Sequence, residues 1–513
     1  MKTKRLLGLG IFPFLFALVG CQSKPAITKR YVDGMTYHET TKHEAETYYS
    51  LSYDAIGGDE VMPIGGFYGP YASGGSVDGH NFPNFVSEKY FQYLEDAGIN
   101  LLVYSRDFWT YQGGNANLTE ALDLAEAHHM GYFVYVDWIA NQLGQHMAPS
   151  DATSIPLAQD DGKEILADVI DEVSDSGKRK AFVGVHGMDE PFPKQFDSIS
   201  LFSKTFYEIC QEKGYSYDIF YNSLGRWNGE NNFFGAGPSM NYESYMEQYF
   251  DEITPRMFSC TQYPFTSEST EESALVSPLY YGLDANRYTA NKYHVPFWRM
   301  LQAGGQHNDA AAWIPSVDPY PSEGETLYDV NLALAYGAKA IQYFPLIQPL
   351  YYAYKTGGTY DFDNRCGLIG ADGNLTRWYY YAKRANTQIQ AIDHVLMKSA
   401  NDGVLVHGDT ARHYIVDEAQ KDSSFGAVLD GESYRELTSI SGGDCVVGCF
   451  DYKGGTALYV VNYNRKEKAD ITLHFDRDDY RYTVTQRAES VDVVGNAVPL
   501  RLDAGEGALI VLA

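Results

Sequence analysis

The chain has 513 residues, too many for one small core, so one large and one smaller domain are expected. Its formal net charge of -28, from 39 Lys and Arg against 67 Asp and Glu, argues against nucleic acid or anionic lipid surfaces as partners and leaves neutral or cationic ligands. Aromatic residues make up 15 %, with 43 Tyr, and such side chains join a flat apolar face to a hydrogen-bonding edge, a combination that suits sugar rings as well as ordinary packing.

The chain opens with Lys2, Lys4 and Arg5, followed by an apolar run over 6–19 and then Gly20-Cys21. The run is too short to cross a bilayer and has the layout of a secretory signal. A cysteine after a small residue at its end resembles the bacterial lipobox, in which that thiol is diacylated. The resemblance implies a lipoprotein signal over 1–21, lipid attachment at Cys21 and an exported protein anchored in the cell envelope, at the outer membrane. The polar, weakly patterned stretch 22–54 is expected to be a tether and run-in.

From about 60 to 395, short β-rich runs alternate with longer amphipathic ones. Strands are predicted at 62–67, 100–105, 132–137, 181–187, 217–222, 257–263, 295–302 and 338–344. Helices are predicted at 87–97, 119–129, 163–176, 197–213, 242–253 and 325–336, with Gly98, Gly131, Gly214 and Gly337 as left-handed caps. Eight strands with crossover helices make a closed (β/α)8 TIM barrel over 55–398 the first choice, an α/β fold. An open doubly wound sheet is second, because the glycines at 65, 66 and 69 do not lead into a phosphate-binding helix.

A helix at 377–397 ends this pattern, and short alternating runs at 403–407, 445–451, 456–463, 470–475, 482–486 and 508–512 predict a small antiparallel β-sandwich over 399–513. Beyond Cys21, the cysteines Cys210, Cys260, Cys366, Cys445 and Cys449 are an odd set that makes no disulfide framework, although Cys445 and Cys449 could pair. No zinc-like spacing occurs and no cofactor is implied; His128 and His129 are expected on a helix surface.

In a TIM barrel the chemistry sits at the C-terminal strand ends. Polar groups gather there: Arg106 and Asp107 after strand 2, Asp137 and Trp138 after strand 3, and Asp189-Glu190-Pro191 after strand 4. Asn222 follows strand 5, Tyr263 strand 6, Gln302 strand 7 and Tyr343 strand 8. In order and spacing the chain resembles the large clan of retaining TIM-barrel glycosidases, in which strand 4 ends in Asn-Glu-Pro or Asp-Glu-Pro. The resemblance implies a carbohydrate substrate, Glu190 as acid/base, Arg106 as the strand-2 arginine and Tyr263 as the tyrosine that touches the nucleophile.

The clan places its nucleophilic glutamate at the end of strand 7, where this chain has Gln302, and an amide cannot attack an anomeric carbon as a carboxylate does. Three routes stay open. Asp137 or Asp107 activates water in an inverting site, with carboxyls about 6.5 to 9.5 Å apart. Alternatively the substrate's own 2-acetamido group attacks, since the run 185–190 resembles the hexosaminidase pattern in which Asp189 orients the acetamide and Glu190 is the acid. In the third, the protein binds glycans without cleaving them. Asp189 would raise the Glu190 pKa while Arg106 would lower it.

Each residue also has a structural reading. Asp189-Glu190-Pro191 suits the first turn of a helix, Arg106 and Asp107 suit an ion pair, and Asp137 suits a rim hydrogen-bond acceptor. Trp109, Trp138, Trp227 and Trp313 would either stack on sugar faces or anchor loops.

Overall fold

The computed structural model describes residues 37–43, 46–72, 75–77, 80–103, 115–143, 161–226, 241–265, 271–306, 315–316, 321–349, 366–421 and 425–512. Eight parallel strands close into a barrel, each pairing with the next in chain order and the eighth with the first. They are Ile64–Phe67, Leu101–Val103, Gly131–Val134, Phe182–Asp189, Asp218–Ser223, Phe258–Thr261, Phe297–Gln302 and Ala340–Phe344. All eight are buried along most of their length, as strands lined by helices outside and side chains inside must be.

The barrel interior is aromatic. Phe133, Phe220 and Trp298 fill its middle, Phe67 lies above them, and Tyr53, from the segment that enters the lower end, meets Phe133 and Trp298 edge-on. Leu51, Tyr53, Ile56 and Met257 plug the lower mouth. Outside, the helices Glu88–Asp96, Gly162–Ser174, Phe196–Lys213, Tyr242–Glu252 and Glu323–Ala335 cover the strands.

Among the described residues nine further strands form the C-terminal part, six in one sheet and three in another, with a separate apolar core between them. The other face of the larger sheet joins the main core through Val446, Phe450, Tyr459 and Val461.

Several local expectations need correction. The stretch 22–54, expected to be a tether and run-in, includes a hairpin, Tyr37–His43 with Glu46–Leu51, that was not foreseen; its Thr and Tyr residues favour strand without an alternating apolar face. The third strand ends at Val134, and Asp137 opens the short helix Asp137–Leu143. Gly98, Gly214 and Gly337 have positive φ as expected, but after Asn115–Ala127 the left-handed residue is His129, and Gly131 begins a strand. His128 is buried rather than on the surface, 2.8 Å from Glu95 and 3.2 Å from Glu88. Cys445 and Cys449 lie on one strand, buried and not bridged to each other, and Cys210, Cys260 and Cys366 are buried too.

Candidate active site

The fourth strand is where local structure determines the site. Its register against the fifth slips between His186 and Met188, leaving Gly187 as the extra residue of a bulge. A β-carbon at Gly187 would lie 2.3 Å from the Tyr221 ring, so only glycine fits. The bulge also resets the alternation of side chains. His186 faces the interior against Phe67 and Phe220, Met188 packs outward in the main core, and Asp189 turns inward to Asn222. An unbroken strand carrying His186 inward would have sent Asp189 to the helix layer.

Glu190 follows with φ 46°, a left-handed conformation unusual for glutamate, and the next residue is Pro191, which restricts it further. Such a geometry costs on the order of 1 to 3 kcal/mol and persists only where its surroundings hold it. Three contacts do so. The Glu190 N–H donates to the Asn222 carbonyl at 2.7 Å, the Tyr245 hydroxyl donates to the Pro191 carbonyl at 2.9 Å, and the Phe192 N–H donates to Gln195 Oε1 at 2.9 Å.

Asn222 is the hub below the two carboxyls. Its Nδ2 donates to Asp189 Oδ1 at 2.7 Å and to Thr261 Oγ1 at 2.6 Å, while its Oδ1 accepts from Ser259 Oγ at 3.1 Å. Thr261 hydrogen-bonds Glu190 in turn. Both residues are partly exposed, while their carboxyl groups lie in buried surroundings. Burial and then the adjacent Asp189 charge push Glu190 up to about 8, against the pull of Thr261; burial raises Asp189 to about 6 despite the Asn222 bond. Among the described residues neither carboxyl has a cationic partner in an ion pair.

Tyr263 stands beside them, its ring stacked on Phe344 at 5.4 Å and its hydroxyl 3.3 Å from Met300 Sδ. Phe344 also meets Tyr68 at 5.6 Å, which extends an aromatic wall across the first, sixth and eighth strand ends. The site therefore combines a proton-holding carboxyl, a second carboxyl fixed by an amide and a largely buried aromatic wall of which Phe344 is the partly exposed member. It can donate a proton to a leaving oxygen brought within reach of Glu190.

Other expected site residues fall elsewhere. The Gln302 carboxamide is engaged with backbone, accepting from Phe265 N–H at 3.1 Å and donating to the carbonyls of Phe265 and Gly304 at 2.5 and 2.8 Å. Gln302 thus shapes the loop after strand 6 instead of facing a ligand. Tyr343 points outward and donates to Asn386 at 2.8 Å, because the pleat turns Gln342 and Phe344 inward and Tyr343 to the helix layer. Trp138 is half-buried against the main core. Arg106, Asp107, Trp109, Trp227, Trp313 and the Asp137 side chain lie outside what is described.

Sequence reasoning missed Thr261, Tyr245 and Phe344. The glycines at 184 and 187 inside a predicted strand were the available signal for bulges; nothing local marks Thr261 as a contact of a residue 71 positions earlier, since only barrel closure joins the fourth, fifth and sixth strand ends. Among the described residues no group of three His, Cys, Asp or Glu could hold a metal ion.

No family model matches the sequence, and no curated protein matches it. Solved structures do. One described as a glycoside hydrolase shares 9 % identity and covers 94 % of this chain and 97 % of its own, with a TM-score of 0.51. A glycoside hydrolase of family 5 from Bacteroides vulgatus shares 9 % identity over 93 % of this chain and 92 % of its own, TM-score 0.47. A β-galactosidase from a psychrophilic Marinomonas shares 11 % identity over 88 % of this chain and 100 % of its own, TM-score 0.45. At such identities the first likeness shows a common fold.

Proposed function

We propose that this protein is a glycoside hydrolase that cleaves an oligo- or polysaccharide at the cell envelope, with Glu190 as the general acid. The observation that carries the reading is Glu190 itself: a carboxyl held in a strained backbone geometry at the upper mouth of the barrel and raised so that it carries a proton near neutrality. Strain and a raised carboxyl pKa coincide at one residue, and together they mark function better than either alone. The description of the similar full-length structure agrees with this reading. Arg106, Asp107 and Asp137 keep their expected roles as substrate contacts and as a base for water. Export and anchoring through Cys21 would set the enzyme at the membrane, with the hairpin 37–51 and the lower mouth on the side from which the chain enters.

The test is turnover on a panel of glycans and aryl glycosides by the wild type and Glu190→Gln. The proposal expects hydrolysis by the first and a loss of about 10²- to 10⁴-fold in the second. A glycan-binding protein without catalysis would show equal affinity for both and no turnover by either.

A second reading, substrate-assisted cleavage of N-acetylhexosaminides, is favoured by one observation. Gln302 is committed to backbone, and the described carboxyl next to Glu190 is Asp189, buried and oriented by Asn222. Asp189→Asn should then cut hydrolysis of N-acetylhexosaminides by at least about 100-fold. Unchanged hydrolysis of those substrates would dismiss this route.

A further inference from the structure

Where the helix Arg377–Leu396 meets the C-terminal sheets, a cavity of about 480 Å³ opens between the two domains. That is within the range of small-molecule sites, about 300 to 1,000 Å³. Tyr380 lines it with 59 % of its surface exposed. Tyr380, Arg384 and Gln388 follow one another at intervals of four on one helical face, a stripe about 12 Å long by helical rise. Arg487, Asp503 and Glu506 form the opposite wall.

The polar part of the cleft is already fixed. Arg384 bridges Glu323 at 2.9 Å and Asp503 at 2.8 Å, and Arg487 holds Glu506 at 2.7 Å and Asp503 at 3.2 Å. Ligand binding would not have to order these side chains. Charge decides the ligand class. Lys383, Arg384 and Arg487 alternate with Asp503 and Glu506, so an anion meets carboxylates and a cation meets guanidinium groups. Neutral hydroxyl groups, each both donor and acceptor, match such a lattice, and the flat face of a sugar ring matches Tyr380.

We propose that this cleft binds one or two units of a neutral glycan, a second anchorage for the polymer on which the barrel acts. Only the identity of that polymer rests on the glycosidase reading. The cleft draws one wall from each domain, so the C-terminal domain contributes to carbohydrate binding as well as bracing the barrel.

The experiment is affinity electrophoresis of Glu190→Gln, which removes turnover, in gels containing β-glucan, xylan, galactan or mannan, with polygalacturonate as charged control. At least one neutral polymer is expected to retard the protein. Adding Tyr380→Ala should weaken that retardation about fivefold, and Tyr380→Trp should restore it. In the otherwise wild-type enzyme, Tyr380→Ala should raise KM for the same polymer about fivefold and leave kcat and short aryl glycosides unchanged. No retardation by any neutral polymer, equal retardation with and without Tyr380, or Tyr380-dependent capture by polygalacturonate alone would overturn the proposal. Tyr380-dependent retardation without turnover by the wild type would sink the Glu190 reading and keep this one; turnover lost in Glu190→Gln with no effect of Tyr380 would do the reverse.

Discussion

At the lower end of the barrel Asp218 is fully buried, but Arg256 lies 3.4 Å from it and the Tyr207 hydroxyl donates to it. At the upper end Asp189 and Glu190 are held by an asparagine and a threonine, and among the described residues by no cation. One carboxylate is neutralised by a charge built into the fold. The others have no such partner among the described residues, burial favours their protonated forms, and a group that holds a proton near pH 7 can give it away. The contrast separates a buried acid that supports the barrel from the pair proposed to react, although adjacent strands carry them.

The largest effect expected from this contrast is on rate. Glu190→Gln keeps the shape of a protonated glutamate, so it should lower kcat by about 10²- to 10⁴-fold with little change in the denaturation midpoint near pH 5, where the wild-type carboxyl is itself protonated. Asp218→Asn should do the opposite, because removing one partner of a buried ion pair costs about 3 to 5 kcal/mol. Urea denaturation would register that loss, with activity per folded molecule unchanged.

The smallest effect is a slope. The folded-state pKa of Glu190 is raised, so between the ordinary carboxylate range and about pH 8 the native protein binds a proton that the unfolded chain has released. Stability from this group is therefore full below that window and falls as pH rises through it, by at most about 1.4 kcal/mol per pH unit. Denaturation midpoints at pH 5 and pH 8 should differ more in the wild type than in Glu190→Gln. Equal differences in both proteins would contradict the assignment.

The barrel was legible because each strand is buried on both faces and reads as a short apolar run, while glycines punctuate the helices between them. What escaped has particular causes. The strand Glu489–Val494 is almost wholly exposed and so has no core-facing alternation. The strand Ala497–Leu502 contains Pro499, which argues against a strand except at an edge, and an edge is where it lies. At the site, Glu190, Asp189, Asn222 and Tyr263 could be chosen because they follow strand ends. Whether a residue near a strand end points in or out is a matter of parity. Tyr343 was misread on that count alone, and Asp189 faces inward only because Gly187 adds one residue to its strand. Gln302 shows a different limit, since its backbone contacts arise from loops that meet only in the folded barrel.

The most direct test of Glu190 as proton donor is the dependence of its variant on the leaving group. Aryl glycosides of one sugar, from dinitrophenyl to unsubstituted phenyl, would be hydrolysed by the wild type and Glu190→Gln. The account predicts that the variant loses little on the dinitrophenyl substrate, whose leaving group needs no proton, and progressively more as the leaving group becomes more basic. A loss of the same size across the series would contradict it.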